Sequence, residues 1–228
     1  MEKLKLRHEL KHNINVSDYM ALRQRLGAIT KQDSHVDETG SYRIRSLYFD
    51  NFDDKALREK INGVNNREKF RIRYYNDNMD YIKLEKKCKI NGLCSKSSAR
   101  LTKEQCEGII DGDIQWMRNS TDPLIAELYT KMNFQQLRPK TLVDYIREPY
   151  IYEPGNVRIT IDSEIKTGLN SKELFDQNAV TMRTHDQNII ILEVKYDEFL
   201  PEIIRSIVQV NNRQNSAFSK YAVCRVYG

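Results

Sequence analysis

Seven segments of this chain alternate apolar and polar residues with a period of two, and that alternation leaves few folds open. They cover residues 5–13, 43–49, 68–75, 81–89, 140–150, 156–164 and 189–196, with a further candidate at 180–184. Between them lie helical signals. Ser17 reads as the cap of a helix that Gly27 ends, and Asp53 or Asp54 starts one that stops near Asn62-Gly63. Thr102 to Gln105 fits a capping box, Asp122-Pro123 places a cap before an N1 proline, and Pro201 opens another helix. A short last helix spans about 218–223. Seven or eight strands suit a closed or nearly closed antiparallel barrel with helices packed outside it, an α+β fold. No repeat, low-complexity tract or linker divides the chain, so residues 1–228 read as one domain.

The polar faces of these strands are unusual. Arg7, Glu9 and Lys11 share one; Arg67, Lys69, Arg71 and Arg73 another; Lys83, Glu85, Lys87 and Lys89 a third. Arg158, Thr160, Asp162 and Glu164 share a fourth, and Glu193 and Lys195 a fifth. One charged strand face is ordinary solvated surface. Five cation-rich rows in one small sheet repel one another unless an anion lies among them. Turned inward, they would form a basic channel with a few carboxylates, suited to a chain of phosphates and a divalent metal. A surface for single-stranded nucleic acid, with Tyr74, Tyr75 and Tyr81 nearby, is another reading. The carboxylates on the basic faces argue against a long nucleic-acid contact.

Bulk composition excludes several classes. The 37 basic and 32 acidic residues leave a net charge of only +5, so the arrangement of charge matters more than its sum. No secretory signal is expected from the first residues, and the longest apolar run, Ile189 to Leu192, is far too short to cross a bilayer. The expected location is cytoplasmic, with a membrane partner left open. Cys88, Cys94, Cys106 and Cys224 lack metal-knuckle spacing and read as reduced thiols. The four histidines form no cluster. Asp50 reads as a turn or capping residue, and Trp116 as packing.

Nine short stretches, in order across nearly the whole chain, resemble the catalytic domain of the vacuolar transporter chaperone (VTC) family, a polyphosphate polymerase domain among the triphosphate tunnel metalloenzymes, which are CYTH-like. They are Arg7-His8-Glu9-Leu10-Lys11, Ser46-Leu47-Tyr48-Phe49-Asp50-Asn51, Phe70-Arg71-Ile72-Arg73-Tyr74-Tyr75, Leu84-Glu85-Lys86-Lys87, Ser95-Lys96, Tyr145-Ile146-Arg147, Val157-Arg158-Ile159-Thr160-Ile161-Asp162, Ile191-Leu192-Glu193-Val194-Lys195 and Phe218-Ser219-Lys220-Tyr221. The resemblance implies an eight-stranded tunnel binding triphosphate or polyphosphate along its axis. It assigns phosphate contacts to Lys11, Arg71, Arg73, Lys87, Lys96, Arg147, Arg158, Lys195 and Lys220, with hydroxyl contacts from Tyr145 and Ser219. Lys11, Arg71, Arg73, Lys87, Arg158 and Glu193 would be the catalytic set. Glu193 matches the metal-binding glutamate, for Mg2+ or Mn2+, and Glu9 and Glu85 are secondary candidates that serve equally well to orient the neighbouring cations. Lys96 and Arg100 also fit a flexible basic loop.

Many tunnel enzymes begin with Glu-x-Glu-x-Lys, whereas position 7 here is Arg, which favours the polymerase-like branch. The expected activity is metal-dependent transfer of the γ-phosphate of ATP to a growing polyphosphate chain. Hydrolysis of triphosphate or a nucleoside triphosphate in the same tunnel, and non-catalytic polyphosphate sensing, are the alternatives.

Overall fold

The computed structural model describes residues 6–184, 189–209 and 218–226. Ten strands form one antiparallel sheet, and eight of them make its continuous path. In chain order these are β1 (His8–Ile14), β3 (Tyr42–Asp50), β4 (Arg67–Tyr75), β5 (Asn78–Ile90), β6 (Leu93–Leu101), β7 (Arg138–Tyr152), β8 (Val157–Thr167) and β10 (Ile190–Tyr196). Two-residue strands β2 (Lys31–Gln32) and β9 (Met182–Arg183) flank β7 and β8. The spatial order is β1-β10-β8-β7-β3-β4-β5-β6. Six helices accompany the sheet: α1 (Val16–Ile29), α2 (Lys55–Ile61), α3 (Lys103–Asp111), α4 (Pro123–Phe134), α5 (Glu202–Val208) and α6 (Lys220–Val226).

Among the described residues the sheet curls strongly into an open half-barrel and not the closed barrel expected. Its two edges, β1 and β6, share one bridge, in which Arg7 and Cys94 exchange two backbone hydrogen bonds at 3.0 and 3.1 Å. Beyond it, among the described residues, side chains span the edges, with Glu9 on β1 reaching Lys87 on β5 and Cys94 on β6.

β6 is the strand that the alternation missed. It pairs with β5 over nine positions, from Ile82↔Leu101 to Ile90↔Leu93, so Lys96 and Arg100 lie in a sheet and not in a loop. The hairpin turn is Asn91-Gly92, both with positive φ (46° and 87°), the backbone a tight two-residue turn demands. The candidate at 180–184 forms only the short β9.

Two apolar clusters cover the convex face. Phe70, Ile72, Leu84 and Leu101 meet Ile109 of α3 and Leu128 of α4, with Trp116 packed against them. Ile159, Ile161, Leu192 and Val194 meet Leu22 and Leu26 of α1 and Ile204 of α5. A third cluster lies on the concave side, where Tyr48, Val143 and Tyr145 meet Tyr221 and Cys224 of α6 with Ala56 and Leu57 of α2 beside them. Helices α2 and α6 therefore occupy the inside of the curl, contrary to the expectation that every helix packs outside. Asp50 ties this arrangement together. Its Oδ1 accepts from the amides of Asn51 and Ala56 at 2.9 Å each, and its Oδ2 accepts from the Leu57 amide at 3.1 Å and the Tyr221 hydroxyl at 2.6 Å.

The capping signals at Thr102 and Asp122 hold. At α1 the cap is Asn15 with Asp18, not Ser17. The helix runs through Gly27 to Ile29 because Leu26 is buried and the Thr30 hydroxyl closes the last turn on the Leu26 carbonyl at 2.6 Å. No described helix is long and apolar enough to cross a membrane.

Candidate polyanion site on the concave face

Because the convex face takes Leu10, Phe70, Ile72, Leu84, Ile159, Ile161, Leu192 and Val194, the alternate residues must point into the curl. They line a cavity of about 360 Å³. Every candidate phosphate, catalytic or metal residue lines it: Glu9 and Lys11 from β1, Arg71 and Arg73 from β4, Glu85 and Lys87 from β5, Lys96 from β6, Tyr145 and Arg147 from β7, Arg158 from β8, Glu193 and Lys195 from β10, and Ser219 and Lys220 at the start of α6. Glu164 leaves its row altogether. A bulge between β7 and β8 puts Glu164 at φ 50° and outward, and Ile165 takes the inward place.

The cations stand against a few buried carboxylates. Glu85, 1% exposed, takes Nε of Arg71 at 2.7 Å, Nη2 of Arg71 at 2.6 Å and Nζ of Lys96 at 2.9 Å, with Arg73 Nη1 at 3.7 Å. Arg73 also donates to the Ser46 and Tyr145 hydroxyls at 2.9 Å each. Asp162 takes Arg147 through both oxygens at 2.6 and 2.8 Å and Lys220 at 2.5 Å. Lys87 lies 2.6 Å from Glu9, and Lys195 pairs with Glu193. Arg158 donates to Asp33 at 2.7 Å and to the Tyr42 hydroxyl at 3.0 Å.

Proton affinities follow this crowding. Burial and Glu193 push the Glu9 carboxyl up, but Lys11, Lys87 and Lys195 outweigh them and hold it at about 2. Burial likewise opposes Asp162, and Arg147 and Lys220 bring it to about 2. Glu85 and Glu193 resist burial in the same way, through Arg71 and Arg73 and through Lys195 and Lys11, and stay well below the usual carboxylate range. The carboxylates are therefore anionic and hold Lys11, Arg71, Arg73 and Arg147 charged, whereas burial outweighs Glu193 at Lys195, lowering it to about 8, and outweighs Asp162 at Lys220.

Lys69 and Tyr48 also line the cavity, although neither was a candidate site residue. Lys69 belongs to the same row as Arg71 and Arg73, so its period was already visible. Burial, with Lys87, Lys11 and Arg71 adding to it against Tyr48, lowers its ammonium to about 7. Tyr48 accepts a hydrogen bond from Arg71 at 2.8 Å and stacks on Tyr221 at 5.2 Å. Burial pushes its phenol up, and Arg71, Lys69 and Arg73 pull it down to about 7. Only the packing of α6 against β3 could disclose that second role.

For a divalent metal, Glu9 and Glu193 fit. Lys11 Nζ lies 3.3 Å from an oxygen of Glu9 and 3.4 Å from one of Glu193, so two carboxylates already surround a position held by a small cation. The described residues hold no group of three or more His, Cys, Asp or Glu side chains placed to hold a metal ion. A pair of carboxylates suits a hard ion that completes its shell with phosphate oxygens. Glu85 is taken by Arg71, Arg73 and Lys96, and Glu9 and Glu193 are likewise paired, with Lys87 and Lys11 and with Lys195 and Lys11.

No curated protein matches the sequence. Among solved structures, the chain is similar to a Bacillus halodurans protein described provisionally as an adenylate cyclase, with a TM-score of 0.52 at 13% identity, covering 90% of this chain and 87% of that one. A Vibrio parahaemolyticus protein with the same provisional description gives 0.47 at 9% identity, covering 90% and 86%. At such identities the first likeness speaks for the fold alone. The VTC domain matches residues 6–227, almost the full chain. With the basic cavity formed by the same strands that carry the resembling motifs, this chain belongs to the VTC domain family.

Proposed function

We propose that this chain is a metal-dependent polyphosphate polymerase that moves the γ-phosphate of ATP onto the end of a growing polyphosphate chain. The observation that carries the reading is the convergence of Lys11, Arg71, Arg73, Lys87, Arg147, Arg158 and Lys195, drawn from six strands, on one cavity. So many cations in a half-buried space favour a multiply charged anion over any neutral ligand.

In this reading the triphosphate of ATP lies along the cationic lining. A terminal oxygen of the acceptor chain attacks the γ-phosphorus, the bond from that phosphorus to the β,γ-bridging oxygen breaks, and ADP leaves with the electron pair. No covalent enzyme intermediate forms. Arg71 and Arg73, held by Glu85 and by the Ser46 and Tyr145 hydroxyls, meet the phosphoryl oxygens without reorganising. Lys96, Arg147, Lys195, Ser219 and Lys220 align the remaining phosphates, and alignment with charge neutralisation accounts for most of phosphoryl-transfer catalysis. Glu193 with Glu9 would hold Mg2+ or Mn2+, which when bound supplies further neutralisation of phosphate oxygens.

The test is incubation of purified protein with ATP and Mn2+ or Mg2+, with products resolved by length. Long polyphosphate is expected, and its loss in Glu193→Ala and Arg71→Ala. Release of orthophosphate without chain growth would replace this reading with triphosphate hydrolysis. Tight polyphosphate binding without turnover would replace it with sensing.

A further inference from the structure

Ile82, Leu84 and Leu101 take the convex face, so Tyr81, Lys83 and Arg100 beside them take the concave one. These three do not line the cavity, yet they continue it. Arg73, which does line it, is the register partner of Lys83, and Lys83 is that of Arg100. Tyr81 stands one pleat beyond Lys83 on β5, at the end of the sheet where Tyr75 lines the cavity.

The three side chains form a cation–aromatic cluster. Lys83 Nζ lies 4.5 Å and Arg100 Cζ 4.8 Å from the centre of the Tyr81 ring. Arg100 is held there as its Nη2 donates to the Asp80 carbonyl oxygen at 3.0 Å. The Tyr81 residue is 42% exposed, and Arg100 is exposed as well. Tyr74, by contrast, is buried and donates its hydroxyl to the Leu174 carbonyl at 2.8 Å, which takes it out of the surface. Among the described residues neither Lys83 nor Arg100 is ion-paired. Glu85, the next carboxylate inward on β5, is taken by Arg71, Arg73 and Lys96. Like charges opposite one another across two strands destabilise the pair. Set against an exposed ring, they suit a ligand that brings a negative charge and a flat ring together.

We propose that Tyr81 and Arg100 form a stacking platform for the base of the nucleoside triphosphate, with Lys83 on its α-phosphate. This rests on the reading of the cavity as the triphosphate site. With the β- and γ-phosphates among Arg71 and Arg73, the α-phosphate meets Lys83 one strand across, and the base lies one pleat further, against the phenol and the guanidinium. Both planar groups stack on bases. Inorganic triphosphate and polyphosphate have no base and make no use of the platform. It therefore gives the phosphoryl donor a contact that the growing chain lacks.

The experiment is calorimetric titration of ATP and of inorganic triphosphate into the wild type, Tyr81→Ala, Tyr81→Phe and Arg100→Lys. One ionic strength is kept and no metal is added, so that binding is read apart from transfer. Tyr81→Ala is expected to lose about tenfold in ATP affinity, in the range that a base–aromatic stack supplies, and to bind triphosphate as the wild type does. Tyr81→Phe keeps the ring and should keep ATP affinity. Arg100→Lys keeps the charge but not the planar group, and should weaken ATP alone. Wild-type ATP affinity in Tyr81→Ala, equal losses for both ligands, or a loss in Tyr81→Phe as large as in Tyr81→Ala overturns the platform and leaves the triphosphate reading of the cavity intact. A wild type that binds neither ligand overturns both.

Discussion

Arg71 and Glu85 are register partners across β4 and β5, and the guanidinium grips the carboxylate through Nε and Nη2 at 2.7 and 2.6 Å on the floor of the cavity. A carboxylate there does for the empty protein what a phosphate would do for the loaded one. It holds the fork charged, oriented and compensated.

Replacing Glu85 with Gln should therefore cost about 3 kcal/mol of stability, because Arg71, Arg73 and Lys96 lose their shared anion. Triphosphate should restore part of that loss. Thermal denaturation with and without triphosphate checks this: the ligand-induced rise in Tm is expected to be larger in the variant than in the wild type. Equal rises would mean that Glu85 and the ligand do not share these cations.

The stability of the fold should fall steeply in acid. Asp162 and Glu9 are held at about 2, below the ordinary 3.8 and 4.5. Between those values the unfolded chain binds more protons than the native one. The stability these groups contribute is present in full above their unfolded values and is lost as pH falls toward about 2. Urea denaturation across that window should show a shallower pH slope in Asp162→Asn than in the wild type. An unchanged slope would remove Asp162 from the account.

Asp50 and Tyr221 offer a separable test of how α6 is held. Asp50 accepts three amides and the Tyr221 hydroxyl in a fully buried position. Asp50→Ala should cost about 3 kcal/mol and Tyr221→Phe about 1 kcal/mol by chemical denaturation. Because α6 carries Ser219 and Lys220 to the cavity, triphosphate affinity should drop in Asp50→Ala under conditions where the variant remains folded. Wild-type affinity in a folded Asp50→Ala protein would show that α6 is positioned by other contacts.

Thr102 marks the opposite case. Its hydroxyl caps α3 on the convex face, accepting from Gln105 N at 3.2 Å, far in connectivity from the cavity lining. Thr102→Ala should lower stability by about 1 kcal/mol and leave anion affinity at its wild-type value.

The alternation of single residues was enough to say which side chains share a face, since a strand's pleat leaves no other choice. It put Arg71 with Arg73 and Lys69, Glu193 with Lys195, and Arg158 with Asp162, and each of these sets does share the concave side. The capping chemistry at Thr102 and Asp122 was equally local and equally legible. β6 escaped because Ser95 to Ser98 hold no apolar residue to mark a period, although Asn91-Gly92 stood before them as a hairpin signal.

What local patterning leaves undetermined is everything that depends on curvature and register. The bulge at Glu164 reverses the parity of β8 near its end, so the fourth residue of an otherwise sound row turns to solvent. The placement of α2 and α6 inside the curl follows from Asp50 and the apolar cluster around Tyr48 and Tyr221, contacts between residues separated by most of the chain. The pairing of Asp162 with Lys220, or of Glu9 with Lys87, joins strands and helices that no nearest-neighbour rule links. Sequence alone determined which charges lie together along each strand, because that is set by backbone geometry over two residues. Only the tertiary structure decided which of them meet across the cavity and which carboxylate compensates which cation, because Coulomb interactions depend on separation in space and not along the chain.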